Sequence, residues 1–287
     1  MSLLQATKDL CQMYGIKPAR SKGQNFLINE QVYDEIVAAA DLQADDIVLE
    51  VGPGLGFLTE KLALEAKEVE AVELDDQLAE VLKIKLLAQK LDNVNLINHD
   101  ILNLNLNDFA WYKRGAYKIV ANLPYNISAL FLRNFLGASA RPQKIVLLLQ
   151  QEVAERLVAP AGELSLLGVM AQFYSQPKII KLVPATDFWP QPKISSAIVV
   201  FEHDRPTVSD QLSAEEQKQF WRLLKIGFSA KRKQLKNNLM SGWPTDSATA
   251  TGWLKKIKVS DKIRAQDLSL AQWVALTRNT QHRTHNK

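Results

Sequence analysis

The sequence predicts an α/β protein: a mainly parallel sheet covered by helices on both faces, followed by a small C-terminal helical domain. Three observations carry this reading. From Ile47 to Leu149 short apolar runs alternate with segments of helical period. A glycine-rich turn, Gly52 to Gly56, joins the first run to the first helical segment. After Phe201 the texture changes: residues 203–287 hold 16 basic and 7 acidic side chains, net +9, against 19 and 24, net −5, in residues 1–202.

In chain order, Ile47–Val51, Val69–Leu74, Val94–Asn98, Lys118–Ala121 and Lys144–Leu149 read as strands, because continuous apolar runs suit strands buried on both faces. Between them, 57–66, 76–91 and 128–136 carry apolar residues three and four apart, the helical period. Helical stretches at 152–158 and 166–173 follow, then two strands, 178–183 and 195–201, whose closeness in sequence predicts an antiparallel pair. His203 to Pro206 reads as a linker, and from Ala214 the chain is helical, punctuated by Gly242, Pro244 and Gly252. The expected division is 1–207 for the sheet domain and 208–287 for the basic helical domain with its polar tail, Asn279–Lys287.

Composition narrows the function classes. A single cysteine, Cys11, excludes an intramolecular disulfide framework and any multi-cysteine metal site. Four scattered histidines argue against a His-based metal centre, so no metal is expected. The longest aliphatic run, Ile145 to Leu149, falls far short of the ~20 residues a membrane-spanning helix requires. Lys8 and Asp9 interrupt the first apolar stretch, unlike a secretory signal. A cytoplasmic protein without membrane contact is the expectation, and nothing in the chain demands more than a monomer. The basic final third points to a polyanion as partner.

The turn Glu50-Val51-Gly52-Pro53-Gly54-Leu55-Gly56 places glycines where backbone must turn tightly and approach a ligand, ahead of a helix N-terminus. Its G-x-G-x-G spacing departs from the G-x-G-x-x-G of dinucleotide folds, which argues against a nicotinamide cofactor. Glu73 ends the second strand about 20 residues on, where an acid can accept both ribose hydroxyls. Asp75 is the alternative ribose ligand, or else an exposed helix cap. Asp100 closes the third strand at the same edge of the sheet. Together these imply a nucleoside cofactor.

The fourth strand runs into Asn122-Leu123-Pro124-Tyr125-Asn126. An (Asn/Asp)-Pro-Pro-Tyr-type tetrapeptide at this place marks methyltransferases acting on exocyclic amines of bases. The amine of adenine is a poor nucleophile, because its lone pair is delocalised into the ring. The Asn122 amide oxygen and the carbonyl of Leu123 or Pro124 can accept its two N–H bonds and aim the nitrogen's lone pair at a methyl donor. Pro124 stiffens the turn, and Tyr125 offers a ring face for stacking.

From about Lys17 to Trp273 the chain resembles the bacterial small-subunit rRNA adenine dimethyltransferases, the kasugamycin-sensitivity methylases, relatives of the macrolide-resistance rRNA methylases. The motifs that carry the resemblance stand in order: Gly23-Gln24-Asn25-Phe26-Leu27; Glu50 to Gly56 with Leu58-Thr59; Val72-Glu73-Leu74-Asp75; Asp100; Asn122 to Asn126; Phe188-Trp189-Pro190-Gln191-Pro192-Lys193; and Lys231-Arg232-Lys233-Gln234-Leu235 with Asn237 and Leu239. The resemblance implies a Rossmann-like S-adenosylmethionine methyltransferase sheet. It also implies dimethylation of two adjacent adenosines near the 3′ end of 16S rRNA, in the small ribosomal subunit or its assembly intermediate.

Carried over position by position, Gln24, Asn25, Leu27, Gly52 and Gly54 would line the cofactor pocket, with Asn25, Leu27 and Gly52 on its methionine side. Glu73 would hold the ribose, Asp100 the adenine amino group, and Asn122 would sit between cofactor and target. Leu123, Pro124 and Tyr125 would complete the amine clamp, and Phe188 would stack on the target base opposite Tyr125. Lys193, Lys231, Arg232, Lys233 and Lys236 would contact RNA. Lys22 before the entry glycine and the short run Ala161 to Gly168 depart from the family pattern and bear on ribosome contact. The competing readings are a large-subunit rRNA adenine methylase, a non-catalytic ribosome-assembly factor, and a nicotinamide-dependent oxidoreductase.

Overall fold

The computed structural model describes residues 2–18, 24–124, 127–203 and 206–281. These residues fall into two compact units: one of residues 1–154 and 176–204, the other of residues 155–175 and 205–287.

The first unit begins with α1 (Leu3–Met13), β1 (Phe26–Leu27) and α2 (Glu30–Ala40). Strands and helices then alternate: β2 (Ile47–Val51), α3 (Phe57–Glu65), β3 (Glu68–Glu73), α4 (Asp76–Gln89), β4 (Val94–Asn98), α5 (Ala110–Arg114), β5 (Lys118–Asn122), α6 (Ser128–Leu136) and β6 (Lys144–Gln150). After α7 (Gln151–Val158) and α8 (Leu166–Tyr174) come β7 (Gln176–Val183), β8 (Phe188–Trp189) and β9 (Ser196–Glu202). The seven-stranded sheet has the order β4-β3-β2-β5-β6-β9-β7. Its first five strands are parallel, whereas β9 runs antiparallel to both β6 and β7.

The central strands are apolar on both sides because helices cover both faces. On one face, Val48, Val69, Val120, Val146 and Ile198 pack with Val32, Ile36, Ala40, Leu58 and Leu62 of α2 and α3. Burial of each such aliphatic side chain is worth about 1.5–3 kcal/mol. Helix α2, which the sequence reading did not anticipate, starts at Asn29, whose side chain accepts from the Gln31 N–H. The short strand β1 pairs with β8, Leu27 opposite Phe188.

The second unit contains α8, α9 (Ala214–Gly227), α10 (Leu235–Gly242), α11 (Ser247–Lys256) and α12 (Leu270–Gln281). Helix α9 opens with a capping box, Ser213 Oγ accepting from the Glu216 N–H while Glu216 accepts from the Ser213 N–H. Its core gathers Phe220, Leu224, Leu235, Leu239, Leu254 and Trp273. The linear division at 207/208 puts 155–175 with the sheet, but these residues pack with the helical unit. Leu164, Val169 and Phe173 lie inside its core, with Phe173 stacked on Phe220 at 4.5 Å between ring centres. Among the described residues, no helix is long and apolar enough to cross a membrane.

Candidate functional site

After β2 the chain builds the sheet outward through β3 and β4, then returns to lay β5 against the other side of β2. At such a switch point the connections leaving the carboxyl ends of the two neighbouring strands diverge and open a crevice. The glycine turn leaves β2 at this point, and Asn122 ends β5. Gly52 has φ +70° and donates its N–H to the Val72 carbonyl at 2.9 Å. A Cβ there would stand 3.5 Å from Pro124 Cδ and 3.9 Å from the Asn122 carbonyl oxygen, so the glycine turn lies against the Asn122–Pro124 corner. Gly56, at φ +78°, caps α3 where a Cβ would meet the Leu82 side chain at 2.5 Å.

The cavity between them is lined by Gln24, Asn25, Phe26, Leu27, Tyr33, Glu50, Gly52 to Leu55, Glu73 to Asp75, Leu78 and Asn122 to Pro124, among others. Glu73 is 6% exposed. Its carboxylate accepts the Gly54 N–H at 3.0 Å and the Asp75 N–H at 2.9 Å, which fixes its orientation and ties the glycine turn to the end of β3. Burial raises its pKa, and those backbone donors pull the other way. Asp75 is the N-cap of α4, accepting from the Gln77 and Leu78 N–H groups, and Gln24 Nε2 donates to it at 3.3 Å. Asp75 thereby connects the entry segment to the glycine turn's anchor. Leu27 is held by its pairing with Phe188 and by the Tyr33 hydroxyl, which donates to the Leu27 carbonyl at 3.1 Å.

Glu50 is the residue whose role sequence reasoning missed, although its motif was in view. It is 1% exposed, and among the described residues neither carboxyl oxygen has a hydrogen-bond partner. Burial pushes its pKa up to about 8; the Glu73 charge adds to the shift, while Thr59 and Lys85 oppose it. The signal was an acid inside a fully buried apolar strand, a costly placement without a partner. The described lining carries the carboxyl groups of Glu50, Glu73 and Asp75 and no lysine, arginine or histidine.

The structure thus brings Gln24, Asn25, Leu27, Gly52, Gly54, Glu73, Asn122, Leu123 and Pro124 to one cavity. Tyr125 lies outside the described residues, as do Gly23 and Asn126. Asp100 follows β4 beside the end of β3, but is not part of the lining. Its carboxylate caps its own turn, accepting from the Leu102 N–H at 2.9 Å and from Asn103 Nδ2 at 2.8 Å. Phe188 is also absent from the lining: it is 3% exposed and packs in the core, opposite Leu27 in the β1–β8 pair. Lys193 is exposed on the sheet unit. Lys231, Arg232 and Lys233 are exposed in the turn between α9 and α10, whereas Lys236 pairs with Asp261 at 3.3 Å. Among the described residues no group of three or more His, Cys, Asp or Glu could hold a metal.

Comparison with known proteins follows the same outline. A family model described as ribosomal RNA adenine dimethylase matches residues 16–281. The protein named ribosomal RNA small subunit methyltransferase A in Dehalococcoides mccartyi (strain CBDB1) is 38% identical over 275 residues, spanning 96% of this chain and 92% of the relative. Its namesake in Trichormus variabilis is 39% identical over 272 residues, spanning 91% and 97%. Among solved structures, a dimethyladenosine transferase from Plasmodium falciparum matches with a TM-score of 0.70 at 25% identity, covering 86% of this chain and 94% of that one. The 23S rRNA methyltransferase ErmE matches at 0.71 and 24% identity, covering 89% and 99%; at that identity the likeness is one of fold.

Proposed function

The chain belongs to the ribosomal RNA adenine dimethylase family, and from that premise we propose how its own residues serve the reaction. The protein is an rRNA adenine dimethyltransferase of the small-subunit class. The methyl donor we assign is S-adenosylmethionine, and the targets two adjacent adenosines near the 3′ end of 16S rRNA, in the small subunit or its assembly intermediate.

One observation carries the donor assignment: the cavity presents the acidic side chains of Glu73 and Asp75 and the buried carboxyl of Glu50, with no cationic side chain among its described lining. Such a lining suits a ligand bearing sulfonium and ammonium charges and repels the pyrophosphate of a nicotinamide dinucleotide. Each Glu73 oxygen accepts one backbone N–H and keeps a lone-pair direction for a ribose hydroxyl. Gly52 leaves the space between turn and corner clear where a side chain would fill it. Asn25 and Leu27 wall the cavity where the β1–β8 ribbon begins.

When bound, the donor supplies an electrophilic methyl on a positively charged sulfur, so the protein's task is to position and desolvate the acceptor. The Asn122 side chain makes no hydrogen bond within the described residues, and its amide oxygen accepts one N–H of the adenine amine. The carbonyl of Leu123 or Pro124 accepts the other. Pro124 brings no N–H to the corner, but its own carbonyl already accepts from the Ile127 N–H at 3.2 Å and the Ser128 hydroxyl at 3.3 Å, so the Leu123 carbonyl is the acceptor the corner favours. After the first transfer a single N–H remains, and one of the two acceptors suffices to hold the monomethyl amine for the second. The target base is turned out of its stack to reach the corner.

The test maps labelled methyl groups on small subunits from cells lacking this protein. The expected product is N6,N6-dimethyladenosine at two neighbouring positions, formed with S-adenosylmethionine. Methylation elsewhere, or none, overturns the assignment.

A further inference from the structure

Away from the catalytic cavity, the helical unit carries a second cleft of about 210 Å3, lined by Arg156, Glu163, Phe228, Lys231 and Gln266 among others. It is a built feature. The run Ala161 to Gly168, singled out in the sequence for its shortness, forms one wall, and three hydrogen bonds latch it in place. The Gly162 and Leu164 N–H groups donate to the Gln266 carbonyl at 3.0 and 3.3 Å, and Gln266 Nε2 donates to the Gly162 carbonyl at 3.0 Å. Gly168 sits so close to Arg156 that a Cβ would stand 2.3 Å from its carbonyl oxygen, so the end of α7 is pressed against the start of α8. Phe228, the C-cap of α9, stacks on the buried Trp273 ring at 5.8 Å and an interplanar angle of 26°.

The chemistry of the lining is specific. Arg156 and Lys231 are exposed cations with no ion-pair or hydrogen-bond partner among the described residues, although Glu163 shares the cleft. Two unneutralised cations call for an anion with more than one acceptor oxygen, and the planar guanidinium fork matches a phosphate. Glu163 disfavours free phosphate but welcomes a neutral hydroxyl donor beside the anion, which a ribose 2′-OH supplies. Phe228 adds an aromatic surface of the kind on which unpaired bases rest.

We propose that this cleft seats one nucleotide unit of the rRNA outside the catalytic cavity. Its phosphate lies between Arg156 and Lys231, its 2′-OH on Glu163, and its base against Phe228. The inference rests on the rRNA reading above and extends it to a contact site in which the short 161–168 run takes part.

The experiment measures binding of the full-length protein to a fragment of small-subunit rRNA across a salt series, beside S-adenosylmethionine binding by calorimetry. Arg156→Ala should weaken RNA binding about tenfold near physiological salt, the loss of a charge-assisted contact. It should also reduce the slope of log affinity against log salt by roughly one, with cofactor affinity unchanged. Phe228→Leu, a milder change in a partly buried position, should weaken RNA binding while leaving the salt slope intact. Glu163→Ala should narrow the preference for RNA over DNA of the same sequence. Wild-type affinity and slope in Arg156→Ala overturn the cleft while leaving the methyltransferase reading standing. Absence of RNA binding by the wild-type protein overturns that reading as well.

Discussion

Glu50→Gln isolates the buried acid beneath the cavity. The substitution keeps the shape of the side chain and removes its titration. The native carboxyl titrates near 8 against an ordinary value of 4.5. The fold therefore retains a proton that the unfolded chain gives up. The stability tied to it is complete below about pH 4.5 and is lost as the pH rises toward 8. Each pH unit between the unfolded and folded values is worth roughly 1.4 kcal/mol, so the wild type should lose about 4 kcal/mol relative to Glu50→Gln between about pH 5 and pH 8. Urea denaturation of both proteins at unit pH intervals gives this as a double difference, in which titrating groups that do not interact with Glu50 cancel, Glu73 being the one that does. Cofactor affinity supplies a second reading. A cationic donor favours the ionised carboxyl, so wild-type affinity for S-adenosylmethionine should climb toward pH 8 and level off, while Glu50→Gln stays flat. Parallel stability curves for the two proteins would refute the reasoning, because they would mean that Glu50 is ionised and paired throughout.

Four other outcomes follow from the site. Asn122→Ala should abolish methyl transfer to small subunits while most of the S-adenosylmethionine affinity survives; near-normal turnover would remove the amine clamp from the mechanism. Glu73→Ala strands the Gly54 and Asp75 N–H groups, at about 1–3 kcal/mol each, so it should lower both cofactor affinity and the melting temperature. Gly52→Ala, at φ +70°, should cost about 1–2 kcal/mol in stability and depress cofactor affinity further, as measured by denaturation and calorimetry. Lys231→Glu combined with Arg232→Glu should flatten the salt dependence of rRNA binding without touching cofactor affinity.

The strands of the sheet were legible because each is an apolar run wedged between helical patterns, and β2 and β4 start and stop where the sequence places them. The pairing of β7 with β9 was legible too, from their closeness along the chain. What escaped depends on partners distant in sequence. Helix α2 has the period of an amphipathic helix in Val32, Tyr33, Ile36 and Ala40, but it precedes the first strand and so lies outside the alternation that reveals the others. The burial of Phe188 is another such feature, since it depends on a strand partner, Leu27, far away in the chain. Residues 155–175 were readable as helices, but not as members of the helical unit, since the contact of Phe173 with Phe220 joins positions far apart in the chain. Within the cavity, glycines, acids and the Asn122 corner are each local signals. The environment of Glu50 is not, because its burial and the influence of Glu73, Thr59 and Lys85 come from elements that only the fold brings around it.

The β1–β8 ribbon bears on biosynthesis. Leu27, a wall of the cavity, leaves the ribosome early, yet its partner Phe188 is made only after most of the sheet, and β9, which joins β6 to β7, later still. A nascent or prematurely terminated chain ending near residue 150 would carry the glycine turn, Glu73 and Asn122 but no finished enclosure for a ligand. The wall that Leu27 forms is thus completed by residues among the last of the first unit to be synthesised.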